Sequence, residues 1–287
     1  MTMKVAVITD SGSDIYTQNV HLEGLFRVPF QVIDGDKVYL DGETITIDQT
    51  YRLIYDGRNL TTSLPPIGMV DELFENLKAQ GYDMIFAVVI ASALSSTLSA
   101  LAASAQRQDL LFDFVDCHAI MINELHLAIS ARKLFDKGFS VEEVKRRCNK
   151  SIKDSMTFVI PKDLKQLQKS GRITPMAAAL GGFLNLKPLL KISVETGGKV
   201  DAFEKVRTMG KAFEIMVQYF KDQNVDKDCL ITVAHVWDAQ TGRQLMDIMK
   251  ENFPQTEIIF TDLVSVIGCH TGLGAVGAQY IRRVELD

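Results

Sequence analysis

Hydroxyl side chains are grouped in one short segment whose residue types suit the binding of an acid. Residues 60–66 read Leu-Thr-Thr-Ser-Leu-Pro-Pro, so Thr61, Thr62 and Ser63 precede two prolines. Because proline fixes its own φ and keeps the preceding residue extended, the sequence predicts a stiff loop. Such a loop could cap a helix or hold an acidic group, and on its own the capping role is the simpler interpretation.

A second hydroxyl-rich segment, residues 91–97, reads Ala-Ser-Ala-Leu-Ser-Ser-Thr and includes Ser95. It joins an apolar segment to a predicted helix. A helix N-terminus offers free N–H groups and a partial positive charge, so the segment could hold an anion without a basic side chain. The pattern GxxxxGK[ST] is absent, which argues against an ordinary nucleotide-binding loop.

A third segment, residues 269–277, reads Cys-His-Thr-Gly-Leu-Gly-Ala-Val-Gly and contains a formal GxGxxG. A dinucleotide site is not expected, because the residues up to Asp287 leave no room for the βαβ unit and its later acidic residue. The glycines are more simply explained by close backbone approach. His270 could be a hydrogen-bonded core histidine or a functional group of a site.

Two further features have both structural and functional explanations. Residues 9–14 form a polar turn after a predicted strand, which could cap the next helix or form one wall of a polar site. Residues 169–174 read Lys-Ser-Gly-Arg-Ile-Thr, where Gly171 could end a helix. Arg172, together with Arg207, could instead form a basic surface for an anion or a protein partner.

Enzymatic and metal chemistry have weaker support. Cys117-His118 and Cys269-His270 are adjacent pairs rather than spaced ligands, so no metal site is predicted. GxSxG is absent. Ser95 and His270 could in principle act as nucleophile and base of a hydrolase, but the sequence indicates no acidic partner for them. No catalytic residue is therefore assigned.

Alternating strand and helix patterns indicate an α/β fold with a mainly parallel sheet. Residues 84–90 are apolar throughout, as in a parallel strand covered on both faces. In the second half, segments 189–194 and 199–207 flank Thr-Gly-Gly and predict a hairpin, which makes that half a mixed α/β domain. The remaining predicted elements are strands near 4–9, 112–115 and 230–234, and helices near 69–77, 98–105, from Ser140 on, 208–221 and 239–252.

Composition sets the general class of protein. The chain has 287 residues, 47% hydrophobic and 23% charged, with a formal net charge of −5. Nucleic-acid binders are usually basic, so none is expected. No signal-peptide pattern or apolar run of membrane-spanning length is seen, so neither secretion nor stable membrane insertion is expected. The four cysteines form no CxxC pair, and a reducing cytoplasm fits best.

Taken in order, these segments resemble the DegV family of bacterial fatty-acid-binding proteins over essentially the whole chain. Three motifs carry most of the specificity, namely TTSxPP, SGRIT and HTGxGAxG. The matching segments are VAVITDSGSDI (5–15), LTTSLPPIG (60–68), SALSSTLSA (92–100), DLKQLQKSGRIT (163–174), LKPLLKI (186–192), VRT (206–208) and CHTGLGAVG (269–277). The chain departs from the family pattern at Ser96, Leu98 and Cys117, which could alter acyl-chain preference or partner docking.

The resemblance implies two α/β domains, residues 1–156 and 157–287, with an acyl chain in a buried tunnel near their interface. It implies a bound long-chain fatty acid, such as palmitate, stearate or oleate, and no other cofactor. It further implies that Thr62, Ser95 and His270 hold the carboxyl group, with Thr61 and Ser63 as neighbouring candidates.

The same resemblance implies a carrier without chemistry of its own. A separate fatty acid kinase subunit would phosphorylate the bound acid for phospholipid synthesis, and Arg172 and Arg207 would flank the carboxyl end for its docking. The alternatives are a serine/histidine-dependent hydrolase of acyl substrates and a lipid-responsive regulatory protein.

Overall fold

The computed structural model of the protein describes residues 3–162, 164–179 and 186–287. The strands are β1 (Val5–Asp10), β2 (Leu25–Val28), β3 (Gln31–Asp34), β4 (Lys37–Leu40), β5 (Thr61–Ser63), β6 (Met84–Ala87), β7 (Leu111–Phe114), β8 (Ser155–Ile160), β9 (Lys187–Ile192), β10 (Asp201–Val206), β11 (Cys229–His235), β12 (Glu257–Asp262) and β13 (Val276–Arg282). The helices are α1 (Ile47–Tyr55), α2 (Ile67–Ala79), α3 (Thr97–Arg107), α4 (Met121–Asp136), α5 (Val141–Lys153), α6 (Lys165–Ser170), α7 (Pro175–Ala178), α8 (Met209–Asp222), α9 (Ala239–Asn252) and α10 (Ser265–Thr271).

The first sheet is parallel, in the order β2-β1-β6-β7. All six residues of β1 are buried, as expected for a parallel strand covered on both faces. The apolar segment 84–90 is a strand only as far as Ala87. The Ile90 N–H donates to the Asp10 carboxylate at 3.0 Å, so the backbone there leaves the strand ladder.

The second sheet is mixed, in the order β10-β9-β8-β13-β11-β12. The predicted hairpin is confirmed, since β9 and β10 pair antiparallel around the Gly197-Gly198 turn. Helices α8 and α9 cover one face and also agree with the predicted segments. Thr208 caps α8 by accepting the Lys211 N–H at 3.2 Å, and Asp238 caps α9.

The third sheet, β4-β3-β5, is antiparallel and was not predicted. The prediction of a loop at 60–66 is wrong for residues 61–63, which form β5 and pair with β3. An available signal was the Asp34-Gly35 step between two β-rich segments, which is typical of a hairpin. Pairing with β3 fixes Thr62 more firmly than a loop would, opposite Val32.

Helix α4 lies between the first and second sheets and is buried on most of its surface. Its residues pack against β1 and β6 on one side and against Leu230 and Ile281 of the second sheet on the other. The Asn123 side chain also donates to the Tyr280 carbonyl at 2.9 Å. A helix buried on nearly all sides joins the two halves through one continuous core.

The predicted α/β class is therefore confirmed, with a parallel sheet in the N-terminal half and a mixed sheet in the C-terminal half. The division into domains at 156/157 falls inside β8 and stays a prediction. None of the helices in the described ranges is long and apolar enough to cross a membrane.

A buried acidic pair beneath the first sheet should make stability depend on pH. Burial raises the pKa of Asp10 to about 7, and burial together with the charge of Asp10 raises that of Glu124 well above its usual range. The folded protein then binds protons that the unfolded chain releases above about pH 4. We expect the free energy of unfolding to fall by about 1–3 kcal/mol as the pH rises from about 5 to about 8.

Chemical denaturation at several pH values measures this dependence. Glu124→Gln removes one titrating carboxyl but keeps an oxygen for the Thr9 hydroxyl, which donates to Glu124 at 3.1 Å. The variant should show a flatter pH profile, whereas Glu75→Gln, an exposed change of equal charge on α2, should not. If the free energy of unfolding varied equally with pH in the wild-type protein, Glu124→Gln and Glu75→Gln, the proposed effect of the buried acidic pair would be contradicted.

Candidate functional site

A cavity of about 490 Å³ lies among the three sheets, α4 and α10. This volume is in the range of small-molecule sites in proteins. Its walls are largely apolar and include Phe30, Ile90, Val159, Ile192, Ala234 and Leu263. Most of these side chains belong to a core cluster that combines residues from both halves of the chain. The shape and lining suit a ligand that is mainly hydrocarbon.

Three side chains from distant parts of the sequence meet in one wall of this cavity. The Thr62 hydroxyl lies 2.9 Å from His270 Nε2. Arg172 Nη1 lies 3.4 Å from the same nitrogen. A second guanidinium nitrogen of Arg172, Nε, donates to the Leu94 carbonyl at 2.8 Å, so Arg172 spans from the neighbour of Ser95 to His270.

His270 is positioned by α10, which packs against α1. At Gly268 an added Cβ would lie 2.6 Å from a ring carbon of Tyr51, so only glycine allows this approach. The Tyr51 hydroxyl donates to the Leu263 carbonyl just ahead of α10. These contacts hold the helix in place and direct its last turn toward Thr62.

Ser95 is positioned by the segment between β6 and α3. Asp116 anchors this segment by accepting both the N–H and the hydroxyl of Ser92, the former at 3.2 Å. The Ser95 hydroxyl lies 2.8 Å from the Thr97 hydroxyl and accepts the Thr97 N–H at 3.3 Å. Ser95 therefore hydrogen-bonds to the first residue of α3 and also lines the cavity.

Burial, together with the charge of Arg172, lowers the pKa of His270 to about 4. The imidazole is then neutral at pH 7. Because a guanidinium has only donors, the Nε2 that faces it carries the lone pair, and the proton is on Nδ1. The Thr62 hydroxyl accordingly donates to Nε2, and the site presents one fixed cation, two hydroxyls and one basic nitrogen.

An NMR titration of the imidazole protons should place the pKa of His270 near 4 in the lipid-free protein. Arg172→Gln removes the nearby positive charge and should raise this pKa part of the way to its usual value near 6.5, because burial still opposes protonation. Arg243→Gln, an exposed change on α9, serves as the control. An unchanged pKa in Arg172→Gln would contradict the contact.

The predicted site residues divide into two groups. Thr62, Ser63, Ser95, His270 and Arg172 all line the cavity. The neighbouring candidate Thr61 is exposed and is not part of the lining, and Arg207 is exposed just beyond the end of β10. Asp163, the first residue of the matching segment 163–174, lies outside the described residues.

The structure gives Arg172 a contact that the sequence did not predict, while its expected role in partner docking stays a prediction. The sequence predicted an acid held without a basic side chain, and the family resemblance implied partner docking for Arg172. Its half-buried guanidinium instead lies beside His270 in the cavity wall. The change matters because a guanidinium can donate two hydrogen bonds to one carboxylate.

The other candidate motifs have structural explanations. Asp10 accepts the N–H groups of Gly12 and Ile90, at 2.8 and 3.0 Å, so it orders the turn after β1 and does not line the cavity. At Gly277 an added Cβ would lie 2.4 Å from the Phe158 carbonyl, which confirms the expected close backbone approach at this glycine. At Gly272 and Gly274 the expectation is wrong, and positive φ angles of 77° and 83° explain the glycines instead. Within the described residues, no group of three or more His, Cys, Asp or Glu side chains could hold a metal ion.

The proposed nucleophile and base of a hydrolase do not contact each other. The Ser95 hydroxyl is hydrogen-bonded to Thr97, and the basic nitrogen of His270 faces Thr62 and Arg172.

The cavity wall also contains three buried polar residues that the sequence analysis did not predict, Thr157, Thr232 and Gln279. The sequence feature that could have indicated these residues is a polar residue within an otherwise apolar strand.

Comparisons with known proteins agree with the fold. A family model described as an uncharacterised protein of the DegV family matches residues 4–283. A DegV domain-containing protein of Streptococcus pyogenes serotype M1 is 27% identical over 279 residues, covering 96% of this chain and 97% of its own.

Two solved structures are similar over nearly their whole length. The fatty acid binding DegV family protein of Streptococcus agalactiae superimposes with a TM-score of 0.87 at 25% identity, covering 98% of this chain and 99% of its own. DegV of Bacillus subtilis, a fatty acid binding protein, superimposes with a TM-score of 0.84 at 25% identity. The match covers 98% of this chain and 100% of the B. subtilis chain. The chain is thus an α/β protein with an apolar cavity among its three sheets. The chain belongs to the DegV family.

Proposed function

We propose that this protein binds one long-chain fatty acid, such as palmitate, stearate or oleate, with the acyl chain in the cavity. The observation that carries the proposal is an apolar cavity whose wall contains Thr62, Ser95, Arg172 and His270. Each buried methylene contributes about 0.8 kcal/mol, so a long chain supplies a large favourable term before ordering costs reduce it. The fatty acid binding of the S. agalactiae and B. subtilis proteins supports the assignment.

The polar side chains of the wall suit the carboxyl group. A buried carboxylate is costly unless it is hydrogen-bonded. Arg172 and the Ser95 hydroxyl can donate to it. When the Thr62 hydroxyl turns from His270 Nε2 to the ligand, it donates as well, and the vacated lone pair of Nε2 can accept the proton of an uncharged acid. The site thus accommodates either protonation state.

We further propose that the protein acts as a cytoplasmic carrier that presents the carboxyl group to a fatty acid kinase for acyl-phosphate formation. The family resemblance supports this role. The four cysteines are free and buried, which suits a reducing compartment. Arg207 is exposed and open to a partner, and in this proposal it contributes to docking.

Acyl-phosphate formation from ATP, with a fatty acid kinase subunit and the lipid-loaded protein, tests the carrier role. Arg207→Glu should leave lipid loading unchanged but lower turnover about tenfold or more, because an opposed charge weakens a charge-steered encounter. Arg243→Glu, an exposed reversal on α9, should turn over normally. Equal turnover for both variants would remove Arg207 from the interface, and no product with any form would contradict the carrier role.

A further inference from the structure

One cross-strand row of the second sheet is polar, although it lies in the apolar cavity wall. Thr157 of β8 pairs with Gln279 of β13, which pairs in turn with Thr232 of β11. All three side chains are buried, with exposures of 5%, 3% and 1%. They point to the face opposite α8 and α9 and line the cavity. Burying three polar side chains beside a hydrocarbon site is costly unless each is hydrogen-bonded.

The side chain of Gln279 makes all its hydrogen bonds with the start of α4 and with Thr157. Its carboxamide oxygen accepts the N–H groups of Asn123 at 3.0 Å and Ile122 at 3.2 Å. Its nitrogen donates to the Ile120 carbonyl and the Thr157 hydroxyl, both at 3.1 Å. Gln279 thereby satisfies N–H groups in the first turn of α4, whose N-cap Ile120 has no side-chain oxygen. This residue has a structural role.

Thr232 has no such role. Its hydroxyl is buried and has no hydrogen-bond partner among the described residues, although it lines the cavity. Valine has nearly the same shape and would fill this strand position without an unsatisfied polar group. The Thr157 hydroxyl accepts from Gln279, so its own proton also remains available to the cavity.

We propose that Thr232 binds a hydroxyl group carried part-way along the acyl chain, so that the cavity prefers a mid-chain hydroxy fatty acid to its unsubstituted parent. This inference rests on the proposed fatty-acid binding. A ligand hydroxyl can both donate to and accept from the Thr232 hydroxyl, which leaves neither group unsatisfied. Thr157 lies about 10 Å from Thr232 across two strand spacings, so it offers a second, separate contact position.

Competition binding with stearic acid and with hydroxystearic acids, substituted on successive mid-chain carbons, tests the inference. At least one hydroxystearic acid should bind the wild-type protein about tenfold more tightly than stearic acid. Thr232→Val should abolish this preference while it keeps or improves stearic acid binding. Thr271→Val is the matched control, because Thr271 also lines the cavity but its hydroxyl already donates to the Ile267 carbonyl at 3.2 Å. Its ratio of the two affinities should equal that of the wild-type protein.

The outcomes separate this inference from the proposed function. Tight stearic acid binding with no preference for any hydroxylated isomer would overturn the role of Thr232 and leave fatty-acid binding intact. A preference that survives in Thr232→Val would also overturn it. Binding of neither acid would overturn the inference and the proposed function together.

Discussion

A chain that carries Ala234→Phe should fold normally but purify with little or no bound fatty acid. Ala234 lies on β11, is 6% exposed and lines the cavity. A benzyl group at this position occupies volume that the acyl chain needs, and a close-packed wall cannot move far enough to restore it. We expect at least a hundredfold loss of palmitate affinity, since several methylenes lose their buried position. Isothermal titration of the delipidated protein measures the loss.

The control for this variant is Ala102→Phe, which adds the same group at a half-buried position of α3 outside the cavity wall. Both variants should give a cooperative thermal transition and a near-UV spectrum of a folded protein. Undiminished palmitate binding by Ala234→Phe would show that the acyl chain lies elsewhere.

Replacing Thr62, Ser95 and His270 together by alanine should have the second largest effect. Hydrogen bonds to a charged group contribute about 1.5–3 kcal/mol each, although losses at adjacent positions do not add fully. We expect palmitate affinity to fall about hundredfold, with Arg172 retaining the remainder. The affinity for hexadecanol, which has the same chain but no carboxyl group, should change much less.

Thr61→Ala is the matched control for the triple variant, because Thr61 is adjacent to Thr62 but exposed and outside the cavity lining. It should bind palmitate like the wild-type protein. Equal losses for palmitate and hexadecanol in the triple variant would mean that these side chains do not recognise the carboxyl group.

Much of the fold was accessible from local patterns. The helices α2, α3, α5, α8 and α9 were predicted, since periodicity reflects burial directly. Helices α1 and α4 and strands β8 and β13 were not predicted. The sheet β4-β3-β5 was missed because the Thr61–Ser63 strand is short, and its polar, proline-flanked sequence is equally typical of a loop. Its pairing partner β3 lies thirty residues earlier, which no local pattern connects to it.

Some residues of the cavity wall were predicted, but their contacts were not. Thr62, Ser95 and His270 lie far apart in sequence, and the family resemblance alone groups them. The position of Arg172 beside His270 depends on how the segment after α6 passes the Leu94 carbonyl, which is a tertiary contact. The partnerless hydroxyl of Thr232 likewise becomes visible only when the neighbours of that side chain are known.

Native mass spectrometry of the freshly purified protein, followed by solvent extraction, is the decisive test of fatty-acid binding. We expect one long-chain fatty acid per chain in the wild-type protein and its loss in Ala234→Phe. A wild-type protein that stays unloaded after incubation with palmitate, stearate and oleate, or that releases only molecules without a carboxyl group, would contradict it.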